Sequence, residues 1–294
     1  NKPGITLAVD QDTGHSATDN LTSKKQPTFT LSDIDGDADE VMVTTVAGGK
    51  TEDVAAKKDS QTGKWSFRPD TEWADGDYQL TVSVTDNAGN IATSDKLQLV
   101  IDTTVNKPGI ALAVDQDTGH SATDNLTRQK QPTFTLSNID GDAYEVMVTT
   151  VAGGKTESVA AKKDSLTGEW SFRPDTEWAD GDYQLTVRVT DDAGNKATSD
   201  KLQVVIDTVV NKPGIALAVD QDTGHSVTDN LTSKKQPTFT LSNIDGDADE
   251  VMVTVTGGKT ETVAAKKDSQ TGEWSFSSDT EWADGDYQLT VRVT

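Results

Sequence analysis

The chain of 294 residues carries 49 Asp plus Glu against 26 Lys plus Arg, a formal net charge of -23, and contains no Cys. That balance argues against nucleic acid and anionic membrane as partners and favours cations or basic surfaces. Without thiols, neither disulfides nor thiolate metal sites contribute, so stability comes from packing or from oxygen-ligated ions.

The opening NKPGI recurs at Asn1, Asn106 and Asn211, a spacing of 105 residues, and the first two copies differ at 13 positions. Hydrophobic residues make up only 33%, yet they fall in short Val/Ile/Leu/Phe strings of period two, the mark of half-buried strands. Within the first copy this predicts strands over 5–9 (ITLAV), 27–32 (PTFTLS) and 40–46 (EVMVTTV). A Gly48-Gly49 turn then leads to strands over 51–58, 64–68 (KWSFR), 78–85 (YQLTVSVT) and 92–101 (ATSDKLQLVI). Seven strands in about a hundred residues is the immunoglobulin-like plan. The expected fold is therefore all-β: tandem seven-strand sandwiches at 1–104, 105–209 and 210–294, arranged end to end as a rod. The third copy drops one residue, reading TVTGGK for TTVAGGK, and Thr294 corresponds to Thr190, so its last strand is missing. No apolar run reaches the roughly 18 residues of a membrane span. The opening shows neither initiator Met nor signal segment, so the chain reads as a piece of something longer.

Strand direction sorts the acidic loops. Successive strands alternate, which places Asp10, Asp12, Asp19, Asp75, Asp77 and Asp102 at one end of the first sandwich. Asp140, Asp142, Asp191, Asp192 and Asn195 fall at the facing end of the second. Only the linker TTVNKP (103–108) separates them. Like charges at such a joint repel unless a cation lies between them, and calcium, with six to eight oxygen ligands at about 2.3–2.6 Å in forgiving geometry, suits carboxylates drawn from two sets of loops. Asp35 and Asp37, whose counterparts are Asp140, Asp142, Asp245 and Asp247, join the ligand set on this geometry, and a tight turn at Ala88-Gly89 lets Asp86 and Asn90 converge. Asp39, replaced by Tyr144 one period on, reads as surface decoration. Any single acidic loop is equally what tight turns are made of; the meeting of two is what favours the ion. The loop at Asp35 is no EF-hand, because that motif needs a Glu at its twelfth position.

Other residue types carry less. His15, His120 and His225 recur once per copy in TGHS with no nucleophile motif beside them, so they read as polar loop residues and the chain as no enzyme. Trp65 and Phe67 share an inward strand face. Trp73, Trp178 and Trp282 could stack on sugar but fit better beneath the corner beside Tyr78.

The stretches LAVDQDTGHSATDNLTSKKQPTFTL, WADGDYQLTVSVTDNAGN and VIDTT resemble the bacterial immunoglobulin-like repeats of giant type-I-secreted adhesins of the SiiE-like and Bap-like kinds. The resemblance spans each whole repeat. It implies an extracellular stalk segment of a bacterial surface adhesin or biofilm protein, associated with virulence, with calcium at the joints and within domains. It also implies acidic ligands at Asp10, Asp12, Asp86, Asn90 and Asp102, with counterparts one period on that include Asp115, Asp117, Asp191, Asn195 and Asp207. The sequence LSDIDGDADE departs from the family pattern. On this reading the partners are neighbouring repeats of the same chain, which is monomeric; other regions of the parent protein would meet host glycans or matrix. The alternative is a module that itself binds a glycan or a host protein.

Overall fold

The computed structural model describes residues 1–119 and 121–294, and no helix occurs among them. The chain forms two compact units, Asn1–Asp207 and Thr208–Thr294. The first holds two sandwiches and the second holds one.

In the first sandwich the strands are β1 (Gly4–Leu7), β2 (Leu21–Thr22), β3 (Phe29–Ser32), β4 (Ala38–Ala47) and β5 (Lys50–Ala55), followed by β6 (Lys57–Lys58), β7 (Trp65–Phe67), β8 (Gly76–Asp86), β9 (Ile91–Thr93) and β10 (Leu97–Ile101). One sheet runs β1-β3-β7-β6; the other runs β2-β10-β8-β4-β5, with β9 also on β8. This is the immunoglobulin-like arrangement expected from the strand spacing. The inward face of β8 shows why: Tyr78, Leu80, Val82 and Val84 are all buried and alternate with less buried neighbours. They meet Val41, Val43, Leu99 and Ile101 of the same sheet and Phe29, Leu31 and Phe67 of the other. Burying each such side chain contributes on the order of 1.5–3 kcal/mol.

Two predicted strands are broken, for local reasons. The run 51–58 is interrupted at Ala56, whose N–H bonds the Val41 carbonyl at 2.8 Å; beyond it Lys57 and Lys58 pair with Ser66 and Trp65 of the opposite sheet. The run 92–101 is interrupted because Ser94 Oγ accepts the Val82 N–H at 2.9 Å and donates to the Asp95 carbonyl at 2.7 Å, taking over a backbone position in the ladder. The short β2 pairs in parallel with β10; two residues give no periodicity to detect. At the hairpin, Gly48 and Gly49 have φ of 54° and 77°, the doubly left-handed turn that matches strand twist.

The aromatic residues are committed to the core. Trp73 stacks on Tyr78 with centroids 4.5 Å apart, and tilts against Phe29 and Phe67. Tyr78 Oη donates to the Ala74 carbonyl at 2.8 Å, the tyrosine corner of such sandwiches. Trp178 with Tyr183 and Trp282 with Tyr287 repeat the stack.

Candidate metal centre at the first joint

The loop Asp191–Asn195 follows the longest strand of the second sandwich, and its shape is set by one side chain. Asp191 Oδ1 accepts the Asn195 N–H at 2.7 Å, and Oδ2 accepts Asn195 Nδ2–H at 2.8 Å. Asp86 and Asn90 build the same loop in the first sandwich, with bonds of 2.8 Å from Ala88 N, Asn90 N and Asn90 Nδ2. The Asn90 amide group, then its backbone N–H, holds the Asp86 carboxyl below the usual carboxylate range.

The two copies differ in burial. Ala88 is exposed, whereas Ala193 and Asp191 are 0% and 1% exposed. The cover comes from the first sandwich. Thr13 Oγ1 donates to the Ala193 carbonyl at 2.7 Å and His15 N–H to the Asp192 carbonyl at 3.2 Å. Asn195 Nδ2 also donates to the Asp102 carbonyl at 2.9 Å. Gly14, at φ +103°, presses so close that a Cβ there would lie 1.9 Å from the Asp192 oxygen. The His15 ring stacks on Tyr144, centroids 3.7 Å apart.

At this contact Asp102, Asp142 and Asp191 each bring a carboxylate oxygen within 4.8 Å of the others. Burial, followed by the charge of Asp102 and then that of Asp191, pushes the Asp142 carboxyl up, although a backbone bond opposes the shift. Among the described residues, no Lys or Arg side chain forms an ion pair with the trio. An all-oxygen donor set without His or Cys suits a hard divalent ion, and three carboxylates leave room for the backbone carbonyls or waters that calcium also takes.

The remaining predicted ligands lie elsewhere. Asp140 is bound to the linker, accepting the Asn106 N–H at 2.6 Å and the Asn106 amide; Asp35 and Asp245 do the same to Asn1 and Asn211. Asp37 and Asp247 are exposed. Asp10 is exposed with φ 69°, and Asp115 accepts from Gln116 Nε2 at 3.2 Å. Asp75 anchors the linker by accepting from Thr103 Oγ1 at 2.8 Å. Asp207 is half-buried, its N–H on the Thr127 carbonyl at 3.0 Å. Asp12 and Asp117 sit inside their own sandwiches: Oδ2 accepts the N–H of Asn20 at 3.1 Å and of Asn125 at 3.0 Å, while Oδ1 is buried without a hydrogen-bond partner, as is Asp222 Oδ1. Burial first, offset by the Asn20 N–H and reinforced by neighbouring Asp19, pushes the Asp12 carboxyl up.

Sequence reasoning missed part of the joint. Position 144, read as decoration through its counterpart Asp39, packs on His15 across the joint. Thr13 and Gly14 grip the facing loop; the only signal was their recurrence in every copy. His120 lies outside the described residues.

Two-sheet sandwiches in tandem, the first pair abutting through acidic loops, define a class of tandem Ig-like β repeats. The chain belongs to the bacterial Ig-like domain family, whose model matches residues 1–103, 104–208 and 209–294. No curated protein matches it. Among solved structures it is similar to a tetra-tandem repeat from the extending region of a large adhesion protein, at 17% identity and TM-score 0.31 over 99% of this chain and 70% of that one. A structure from a 1.5-MDa bacterial ice-binding adhesin gives 18% identity and TM-score 0.37 over 95% and 87%. The fibronectin(III)-like modules of Clostridium thermocellum CbhA give 14% and 0.35 over 69% and 94%.

Proposed function

We propose that the chain is a stalk segment of a large bacterial surface adhesin, working outside the cell, in which calcium stiffens the joint between sandwiches. The observation that carries this reading is the trio Asp102, Asp142 and Asp191, contributed by two sandwiches and drawn within 4.8 Å. Three negative charges at that spacing repel by roughly a kcal/mol per pair even at an effective dielectric well above that of a dry interior. A divalent ion turns the repulsion into attraction and couples the two bodies. Asp102 leaves the first sandwich, Asp142 and Asp191 belong to the second, and Asn195 orients Asp191 while touching the Asp102 backbone. Calcium within a sandwich would be held by Asp12 or Asp117, whose unpartnered Oδ1 atoms await a positive charge. Membership of a bacterial Ig-like family and tandem repetition fit a spacer, since stacked repeats turn chain length into reach. The glycan-binding alternative has less of a platform, because Trp73, Trp178 and Trp282 are half-buried and each has one ring face taken by Tyr78, Tyr183 or Tyr287.

Calcium titration of the full chain by calorimetry tests the proposal, with small-angle scattering recorded with and without chelator. The intact chain should bind calcium and change its scattering on chelation. The variant carrying Asp102→Asn and Asp142→Asn should bind fewer ions with an unchanged circular-dichroism spectrum. Equal stoichiometry and affinity in the two proteins would refute the joint as a calcium site.

A further inference from the structure

In a chain of net charge -23, one concave spot on the first sandwich is lined by three cations. Phe29, at the start of β3, pairs with Phe67, at the end of β7, so the residues just outside that pair, Thr28 and Arg68, leave the sheet side by side. With the loop at 24–26, Gln11 and Glu72 they line a pocket of about 390 Å³. Among the described residues, Lys24, Lys25 and Arg68 of this lining form no ion pair. Neutral groups hold two of them in place. Lys24 Nζ donates to the Asp10 carbonyl at 2.5 Å, and Arg68 Nη2 donates to Gln26 Oε1 at 3.4 Å, while Gln26 Nε2 donates to the Pro69 carbonyl at 3.2 Å. Both cations keep donors to spare, since an ammonium has three N–H groups and a guanidinium five.

The other two sandwiches use the equivalent groups differently. Gln11 Oε1 accepts the Thr28 N–H at 3.2 Å, which leaves the Gln11 amide nitrogen without a protein partner among the described residues. The amide nitrogens of Gln116 and Gln221 instead donate to Asp115 at 3.2 Å and Asp220 at 2.9 Å. Lys24 is replaced by Gln129 in the second sandwich. Arg68 is replaced by Ser277 in the third, where Lys235 pairs with Glu281 at 3.8 Å. The full set of unpaired donors therefore belongs to the first sandwich.

We propose that this pocket binds an acidic sugar, a polyol ring carrying one carboxylate or sulfate. The oxyanion goes to Arg68, whose planar fork matches it with two parallel hydrogen bonds, and the ammonium groups of Lys24 and Lys25 add charge beside it. The rest of the lining selects what the oxyanion is attached to. The Gln11 amide donates to a ring hydroxyl, the Thr28 hydroxyl donates or accepts, and the Glu72 carboxylate, which has no protein partner among the described residues, accepts hydroxyl hydrogens. A polyanion is repelled by Glu72 and by the acidic surface around the pocket. An Asp or Glu side chain of a peptide offers Glu72 no hydroxyl. None of these residues belongs to the trio at the joint, so the assignment stands apart from the calcium reading.

The test is amide NMR of the full 294-residue chain, titrated with galacturonate and, separately, with galactose 6-sulfate. Saturable shifts are expected at 24–28 and 68–72 and not at 129–133 or 277–281, and the sugar that binds more tightly identifies the oxyanion. Arg68→Ser, which places in the first sandwich the residue found at position 277 of the third, should weaken binding roughly tenfold or more, as the loss of a charge-assisted contact implies. Because Arg68 is exposed, the amide spectrum away from 66–72 should stay unchanged in that variant. Absence of saturable shifts with both sugars would overturn the proposal. So would equal affinity for galactose or for inorganic sulfate, or undiminished binding by the Arg68→Ser chain.

Discussion

Gly14 decides how closely the first two sandwiches approach. Its φ of +103° lies where a side chain is strained, and a Cβ would sit 1.9 Å from the Asp192 carbonyl oxygen, which is backbone and cannot swing aside. Gly14→Ala therefore either shifts the loop or parts the joint. With strain of order 1–3 kcal/mol, amide exchange over 190–196 should rise roughly tenfold or more, towards the rate of the equivalent loop at 85–91. Unchanged exchange would mean that the loops are held by other contacts. The acidic side of this joint was legible in the sequence, because alternating strand direction puts Asp102 at one face and Asp142 and Asp191 at the other. The sequence could not show which acids converge: Asp140 lies two residues from Asp142, yet it is taken by Asn106. Nor does the replacement of Asp39 by Tyr144 reveal a stack on His15, a contact that exists only between two sandwiches.

Turns, at the scale of single elements, were read from Asp and Gly, and one turn type carries a pH signature. Asp59, Asp164 and Asp268 each open a turn in which the carboxylate accepts backbone N–H groups, for example Thr62 N at 2.7 Å and Gln61 N at 2.9 Å. Bonds from the residues at Thr62, Thr167 and Thr271 lower all three carboxyls below the usual range. A group whose folded pKa is depressed contributes stability that is fully present above its unfolded value, near 3.9, and is lost as pH falls through the folded value. These hairpin turns should therefore be insensitive to pH down to about 4 and loosen below it. In Asp164→Ala the loosening at 164–169 should disappear while the other two turns keep it. Proton NMR of the turn amides during acid titration checks both, and an identical titration at 164–169 in the variant would assign the effect elsewhere. Strand identity was equally readable from period two; strand interruption was not. The Ser94 hydroxyl that replaces a backbone partner for Val82 looks, in one dimension, like any polar residue in an alternating run.

For the molecule as a whole, near-identical sequences need not mean equal stability, because each repeat adds its own core to whatever its neighbours contribute. The buried clusters include Leu99 and Ile101 in the first sandwich and Val204 and Ile206 in the second, whereas that of the third has no residue from a corresponding strand. Losing two such side chains forgoes roughly 3–6 kcal/mol, a large share of the 5–15 kcal/mol that typically holds a domain together. The lack of a counterpart to Leu202–Ile206 within residues 210–294 was plain in the sequence. Its consequence for Leu289, Val291 and Val293 depends on sheet order, which places that strand beside the central one rather than at a dispensable margin. Thermal unfolding of the 294-residue chain taken by itself should accordingly be stepwise, the third sandwich first. Calorimetry should resolve an early transition, and replacing Trp274 and Trp282 by Phe should remove the tryptophan fluorescence change that accompanies it, leaving the later signal from Trp65, Trp73, Trp170 and Trp178. A single transition reporting all six tryptophans together would show that the third sandwich draws its stability from outside its own core.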